Sequence, residues 1–322
     1  MKALVVQSAY LGDVVLATSL LNSLWQSKKF EKVAILARPF ATELLRGLPY
    51  EVIPFNKTLR ETFRLISTLK RFDAIISPHR SMRTSLMLFF SGVKKRAGFA
   101  RAELPFLYPI RVEHLWQEHE IERNLRLAKS LFPWLKLAPT TLFVSQEEKS
   151  IVRKKFNLPE KYVVFAPQSQ FELKEWKRWQ ELAKLIELPS VVVGKREEPI
   201  EGAINLQGQT TIREFLAIIS MSSAVISCDS SAVHVANALK VPALCIYTST
   251  GPEYGFYPLY GRYLKPSLSC SPCSPNPKRC KTKTYECLRA IEPKLVAREL
   301  SLLMTDSASP IISMEANKFE AP

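Results

Sequence analysis

The chain has 322 residues, of which 47% are hydrophobic and 23% charged, an ordinary globular composition with enough apolar material for two cores. Forty-five Lys and Arg against 30 Asp and Glu leave a net charge of +15, which points to an anionic partner such as nucleic acid, an anionic membrane surface or a phosphorylated substrate. No run approaches the roughly 18 to 20 apolar residues of a membrane span, and residues 1–6 are far short of a signal-peptide core, so a soluble cytoplasmic protein is expected, resting at most on an anionic membrane face.

Residues 2–6 read as a buried strand, and residues 11–25 repeat apolar positions at helical spacing (Val14, Val15, Leu20, Leu21, Leu24), so residues 7–12 form a strand-to-helix turn. Strands at 32–37, 51–54 and 74–77 then alternate with helices at 42–48 and 58–70. The apolar run from Leu86 to Phe90 is too short to span a bilayer and is flanked by Arg83 and by Lys94, Lys95 and Arg96. After a polar stretch with a basic helix at 142–159, the pattern restarts, with strands at 161–166, 190–193, 224–227 and 243–247 and helices at 180–186, 212–220 and 233–239. Such alternation predicts parallel sheets with helices on both faces. The domains are expected at residues 1–155 and 156–305, followed by a polar tail, 306–322, expected to be flexible.

Asp13 follows Gly12 at the start of the first helix, where the first strand of a parallel sheet delivers its loop to the ligand crevice. A carboxylate there is favoured by the helix dipole and suits a general base, although an Asp in a first turn is more often only a cap. The segment Ser227, Cys228, Asp229, Ser230, Ser231, Ala232, Val233, His234 also follows a strand and opens a helix. Its small residues let backbone N–H groups approach a phosphate; a plain N-cap cluster and a packing histidine are the alternative. Lys177, in the loop after the strand ending at Ala166, could neutralise a departing diphosphate. Neither a Gly-rich dinucleotide fingerprint nor a P-loop is present. Cys270, Cys273, Cys280 and Cys287 match a metal set in number but not in the spacing of a common zinc ribbon, and free thiols are the expectation.

Taken in order, "YLGDVVLATSLLNSL", "KRW" and "SCDSSAVHVANALKVPALCIYTSTGPE" resemble the lipopolysaccharide heptosyltransferases of glycosyltransferase family 9. The Cys270 to Cys287 segment and "LRAIEPKLVARELSLLM" look like the C-terminal region of members similar to heptosyltransferase II. The resemblance implies an α/β GT-B fold of two Rossmann-like domains facing across a cleft. It also implies an inverting, metal-independent transfer of heptose from ADP-heptose to the anionic lipid A and Kdo inner core, at the inner face of the cytoplasmic membrane, with no cofactor and no nucleic acid partner. It makes Asp13 the catalytic base and Lys177 the cation on the leaving phosphates. Gly12, Asp229, Ser230, Ser231, His234 and Thr250, with Glu198 or its neighbour Glu197 as the ribose-binding carboxylate, complete the donor site that the resemblance implies.

The charge distribution suits this division. Residues 1–155 carry 26 basic and 13 acidic side chains, against 19 and 17 in the remainder. Arg60, Arg64, Arg80, Arg83, Lys94, Lys95 and Arg101 are the candidates to hold the acceptor's anionic groups. Ser231 stands where the family has Gly, Gln168 where it has Gly, Gln180 where it has Pro, and Thr248 and Ser249 where it has Gly-Pro; altered donor preference is the expected consequence. The alternatives are a relative acting on another sugar or acceptor, a catalytically silent nucleotide-sugar or anionic-lipid binder, and a basic nucleic-acid binder that carries no recognisable nucleic-acid module.

Overall fold

A computed structural model describes residues 1–305; the tail expected at 306–322 lies outside the described residues. The chain forms two compact units. One comprises residues 1–158, 210–220 and 251–256, and the other 159–209, 221–250 and the chain from 257 onward.

The first unit is a parallel six-stranded sheet of β1 (Lys2–Val6), β2 (Lys32–Ala37), β3 (Glu51–Pro54), β4 (Ala74–Ser77), β5 (Lys95–Phe99) and β6 (Ile110–Val112) in the order β3-β2-β1-β4-β5-β6. The helices are α1 (Leu11–Gln26), α2 (Phe40–Leu44), α3 (Leu59–Leu69), α4 (Met82–Phe90), α5 (Glu120–Lys129) and α6 (Gln146–Lys155). The second unit repeats the topology with β7 (Val163–Ala166), β8 (Ser190–Val192), β9 (Ile204–Asn205), β10 (Ala224–Cys228), β11 (Ala243–Ile246) and β12 (Gly261–Leu264), ordered β12-β11-β10-β7-β8-β9. Helices α7 (Trp179–Ala183), α9 (Ser231–Ala238) and α10 (Pro293–Thr305) accompany it, whereas α8 (Ile212–Ser220) belongs to the first unit. Both sheets are therefore doubly wound α/β, with the strand order reversing between β1 and β4 and again between β7 and β10.

The apolar strands and α1 form almost where hydrophobic periodicity places them. The region from 82 to 129 does not show its elements, because polar residues share its buried positions with apolar ones and break the pattern. Thr84 and Ser85 are the buried hydroxyls of α4, Arg96 of β5 gives its guanidinium to the Val93 and Leu107 carbonyls, and α5 buries Glu120, Arg123 and Asn124. Helix α2 starts and stops earlier than the 42–48 expected, since Gly47 takes a left-handed backbone conformation (φ +88°) that ends the turn.

In the second unit the core gathers Val163, Phe165, Leu244 and Ile246 around an edge-on pair, Trp176 and Trp179, with ring centroids 5.3 Å apart. Trp176 also donates its indole N–H to the Ile291 carbonyl at 3.0 Å. Within the first unit, α8 is held by Arg213, which meets both oxygens of Glu148 at 2.9 and 2.6 Å and donates to the Phe143 carbonyl. That guanidinium, helped by the Ser145 N–H and Arg46 against the cost of burial, holds the Glu148 carboxyl down to about 2.

Arg123 organises the rest of the first unit. Fully buried, it donates to Glu120 from two nitrogens and to the carbonyls of Leu115, Trp116, Glu118 and Tyr254. The segment at 251–256 docks there because Gly255 (φ +77°) has no Cβ; one would sit 2.1 Å from the Glu118 carbonyl oxygen. Arg123→Met should lower the stability of this unit by about 3–5 kcal/mol, because Glu120 and four carbonyls lose their donor together. The urea midpoint, read with the slope of the transition unchanged, measures it.

Candidate functional site

In an open parallel sheet the loops leaving the strands on either side of the order reversal diverge, and the crevice between them is the natural ligand site. In the first unit those loops follow β1 and β4. The loop after β1 leads into α1, where Asp13 sits in the first turn beside Gly12 and accepts the Tyr10 N–H at 3.1 Å, so the capping role is present. The half-buried carboxyl is nevertheless pushed up to about 6. Burial is the main cause and the nearby charge of Glu120 adds to it, while the Tyr10 N–H, its own N–H and the charge of Arg80 pull the other way.

The loop after β4 carries His79 and Arg80. His79 Nδ1 contacts Thr84 Oγ1 at 2.8 Å, with the hydroxyls of Ser8 and Ser81 at 3.4 and 3.3 Å. Burial, with the charges of Lys57 and Arg80, lowers it to about 4, so the ring is neutral and packs as a hydrogen-bonded strut. The Arg80, Arg101 and Arg123 guanidiniums approach the Trp116 ring at 5.8, 5.7 and 5.6 Å. The seven candidate acceptor cations thus separate. Arg80 and Arg101 gather at Trp116, and Arg80 is also within electrostatic reach of Asp13. Arg60 and Arg64 lie on the exposed side of α3, and Arg83 folds back onto the Lys57 carbonyl. Lys94 precedes β5 and Lys95 opens it, so both lie at the N-terminal end of the strands, opposite Asp13, because the strands are parallel and Asp13 follows a strand's C-terminal end.

The second unit builds its cluster on the loops after β7 and β10. Asp229, immediately after β10, receives Lys174 Nζ at 2.8 Å and the Thr250 hydroxyl at 2.8 Å, while its carbonyl accepts the Ser169 hydroxyl at 2.7 Å. Lys174 was not picked out by sequence reading; it lies three residues before Lys177 and makes the direct ion pair with Asp229. Lys177, 39% exposed, instead pairs with Glu175, which is 1% exposed and also receives Arg196 at 2.6 Å and the Ser169 N–H at 3.1 Å. Burial opposes the charge of Glu175, but Arg196, the Ser169 N–H and Lys177 together hold its carboxyl below the usual range. Glu198 pairs with Arg196 at 3.0 Å.

Ser230 caps α9 by accepting the Ala232 N–H and meets the Ser227 hydroxyl at 2.8 Å, so Ser231 occupies the first helical turn with its N–H at the helix start. His234, buried one turn on, is lowered to about 4 by burial, against the pull of Asp229, and is neutral. Lys177 also lines a cavity of about 750 Å³ with Leu268, Tyr285 and Arg289.

The residues that depart from the family pattern are held by hydrogen bonds. Gln168 accepts the Lys195 and Arg196 N–H groups and donates to the Arg196 carbonyl, filling the space where a Cβ on Gly194 would fall. Gln180 bonds both backbone groups of Glu201, and the Thr248 and Ser249 hydroxyls both donate to the Leu173 carbonyl, which steadies the turn that presents Lys174. All six cysteines are free, and among the described residues no group of three or more His, Cys, Asp or Glu side chains is arranged to hold a metal. No helix among the described residues is long and apolar enough to cross a membrane.

Residues 62–288 match the family described as glycosyltransferase family 9 (heptosyltransferase). The lipopolysaccharide heptosyltransferase 2 of Escherichia coli K12 is 27% identical over 79% of this chain and 84% of its own, and the lipooligosaccharide heptosyltransferase 2 of Haemophilus influenzae is 24% identical over 79% and 85%. Among solved structures, E. coli ADP-heptose LPS heptosyltransferase II aligns with a TM-score of 0.78 at 25% identity, covering 96% of this chain and 100% of that one. A family 9 glycosyltransferase from Veillonella parvula aligns with a TM-score of 0.78 at 17% identity, covering 95% and 97%, and adds support for the GT-B fold class alone.

The Asp13 environment predicts its titration. The carboxyl carbon of Asp13, followed by NMR, should titrate near 6; Glu120→Gln should lower the midpoint and Arg80→Gln raise it. Because the folded value lies above the unfolded one, the stability this group contributes is present below about pH 4 and lost as the pH rises through 6.

Proposed function

The chain belongs to glycosyltransferase family 9 and is a glycosyltransferase, and from that premise we propose that it transfers heptose from ADP-heptose, with inversion, to the anionic lipid A and Kdo core of lipopolysaccharide. The observation that carries the reading is that each sheet bears one half of the required chemistry at its reversal point: a carboxylate with a raised pKa after β1, and a cation and hydroxyl cluster after β7 and β10. Likeness to an E. coli ADP-heptose LPS heptosyltransferase II along almost the whole chain supports the donor and the acceptor.

In the reaction, the ionised Asp13 removes the proton of the acceptor hydroxyl. The oxygen's electron pair forms the new bond to the anomeric carbon as the bond to the diphosphate oxygen breaks on the opposite side, which inverts the centre. A carboxyl near 6 is mostly ionised at neutral pH yet basic enough to take a proton. Lys174 and Lys177, with the N–H groups at the start of α9, offset the charge developing on ADP. We assign that task to the lysines because they stand in place before any ligand arrives, Lys174 held by Asp229 and Lys177 by Glu175. Arg80 and Arg101 hold the acceptor's anionic groups beside Asp13, at the cytoplasmic face of the membrane.

Asp13→Asn should lower turnover by roughly 10² to 10⁴ while leaving ADP affinity unchanged, and retained turnover would remove the base assignment. Lys174→Ala should weaken both ADP binding and turnover. Calorimetric titration with ADP, UDP and GDP at two salt concentrations decides the donor. Preference for ADP supports the heptose reading, preference for UDP or GDP replaces the sugar, and salt-sensitive nucleic-acid binding indifferent to ADP would displace the enzyme reading.

A further inference from the structure

Helix α4 is apolar on its outer side as well as its inner one. It buries Met87 and Leu88 together with the hydroxyls of Thr84, which meets His79 Nδ1 at 2.8 Å, and Ser85, 3.4 Å from the Tyr108 hydroxyl, and it also exposes Met82, Leu86, Phe89 and Phe90, the last at 60%. A helix on an ordinary wet surface turns polar residues outward. The neighbouring α3 turns Leu65 and Leu69 to the core yet exposes Leu59 and Phe63, one turn apart, at 70% and 71%. Phe106, on the short turn packed beside α4, is 68% exposed. These elements pack consecutively within one unit, so their apolar side chains form a single surface. A contiguous exposed apolar surface of this kind marks an interaction site.

The charge around it selects the partner. Between residues 57 and 111 there are 12 basic and three acidic residues. Each acid is engaged by a backbone N–H, Glu61 by Asn56, Asp73 by Lys2 and Glu103 by Met82. Arg60 and Arg64 are exposed beside Leu59 and Phe63, Lys94 and Lys95 are exposed just past the end of α4, and the Arg96 guanidinium lies 6.0 Å from the Phe89 ring centre. Arg64 also lies 3.6 Å from Glu61, but the basic residues of the segment outnumber its acids four to one. Bulky apolar side chains among an excess of Lys and Arg are what an anionic bilayer interface receives, the rings entering the acyl boundary while the cations meet the headgroups.

We propose that the exposed surface of α3, α4 and the Phe106 turn docks the protein onto an anionic phospholipid bilayer. This rests on the proposed action at a membrane face and names the surface that would meet it, and it stands whatever the sugar. It also gives Arg60, Arg64, Lys94 and Lys95 lipid headgroups to meet.

The test is co-sedimentation of the full chain with vesicles of phosphatidylcholine alone and of phosphatidylcholine mixed with phosphatidylglycerol. Binding should favour the mixed vesicles by at least about tenfold, weaken with salt, and fall by a similar factor in the triple variant Phe63→Ser, Phe89→Ser, Phe90→Ser. That variant should keep the wild-type unfolding midpoint and ADP affinity, which separates lost docking from lost folding. As a second reading, Phe63→Trp should show a blue-shifted emission on adding the mixed vesicles and none with phosphatidylcholine alone. Equal sedimentation of wild type and triple variant, no preference for the anionic vesicles, or a concentration-dependent dimer that the triple variant abolishes would overturn the proposal.

Discussion

The chemistry of this chain depends on one topological constraint, the reversal of strand order at the centre of a parallel sheet. Where the order turns from β1 to β4, and again from β7 to β10, successive crossovers leave on opposite faces and the loops between them part. Any side chain on those loops is held by a rigid strand on one side and the first turn of a helix on the other. Asp13, His79 and Arg80 occupy the first reversal; Ser169, Lys174, Glu175, Asp229 and Ser230 occupy the second. Helix starts add partial positive charge, which favours both the carboxylate in the first turn of α1 and a phosphate at the start of α9.

Charge compensation differs between the two places. In the second unit the two acids at the centre of the cluster are matched, Asp229 by Lys174 and Glu175 by Lys177 and Arg196, so cations and hydroxyls stand ordered before any ligand arrives. Preorganised donors of this kind stabilise developing negative charge without having to reorient. In the first unit Asp13 has no such match. It receives a backbone N–H and the distant charge of Arg80, while burial and Glu120 work against its ionisation, and the result is a carboxyl tuned toward neutrality. The same unit surrounds Trp116 with three guanidiniums, which places positive charge near the base without an ion pair that would silence it.

The residues that depart from the family pattern illustrate a second kind of compensation. Gln168, Gln180, Thr248 and Ser249 are expected, from the family resemblance, to replace smaller or stiffer residues, and each uses its side chain to tie down the loop beside it. Ser231, at the first turn of α9, leaves its N–H at the helix start.

The sequence by itself determined the class of fold, because buried parallel strands are continuous apolar runs and helices on a sheet repeat every three to four residues, as residues 2–6, 11–25, 32–37 and 224–227 do. It also placed Asp13 and the Asp229 loop, since strand, small residues and helix are adjacent along the chain. Elements that bury polar residues among their apolar ones were hidden: α4 with Thr84 and Ser85, β5 with Arg96, α5 with Glu120, Arg123 and Asn124. Only tertiary structure decided that Lys174, and not Lys177, pairs with Asp229, that Arg80 and Arg101 gather at Trp116 while Lys94 and Lys95 lie at the opposite end of the strands from Asp13, and that residues 210–220 and 251–256 complete the first unit. The physical reason is that periodicity reports which side of an element is buried, whereas pairings such as Lys174 with Asp229 join residues 55 positions apart, through geometry that no local pattern encodes.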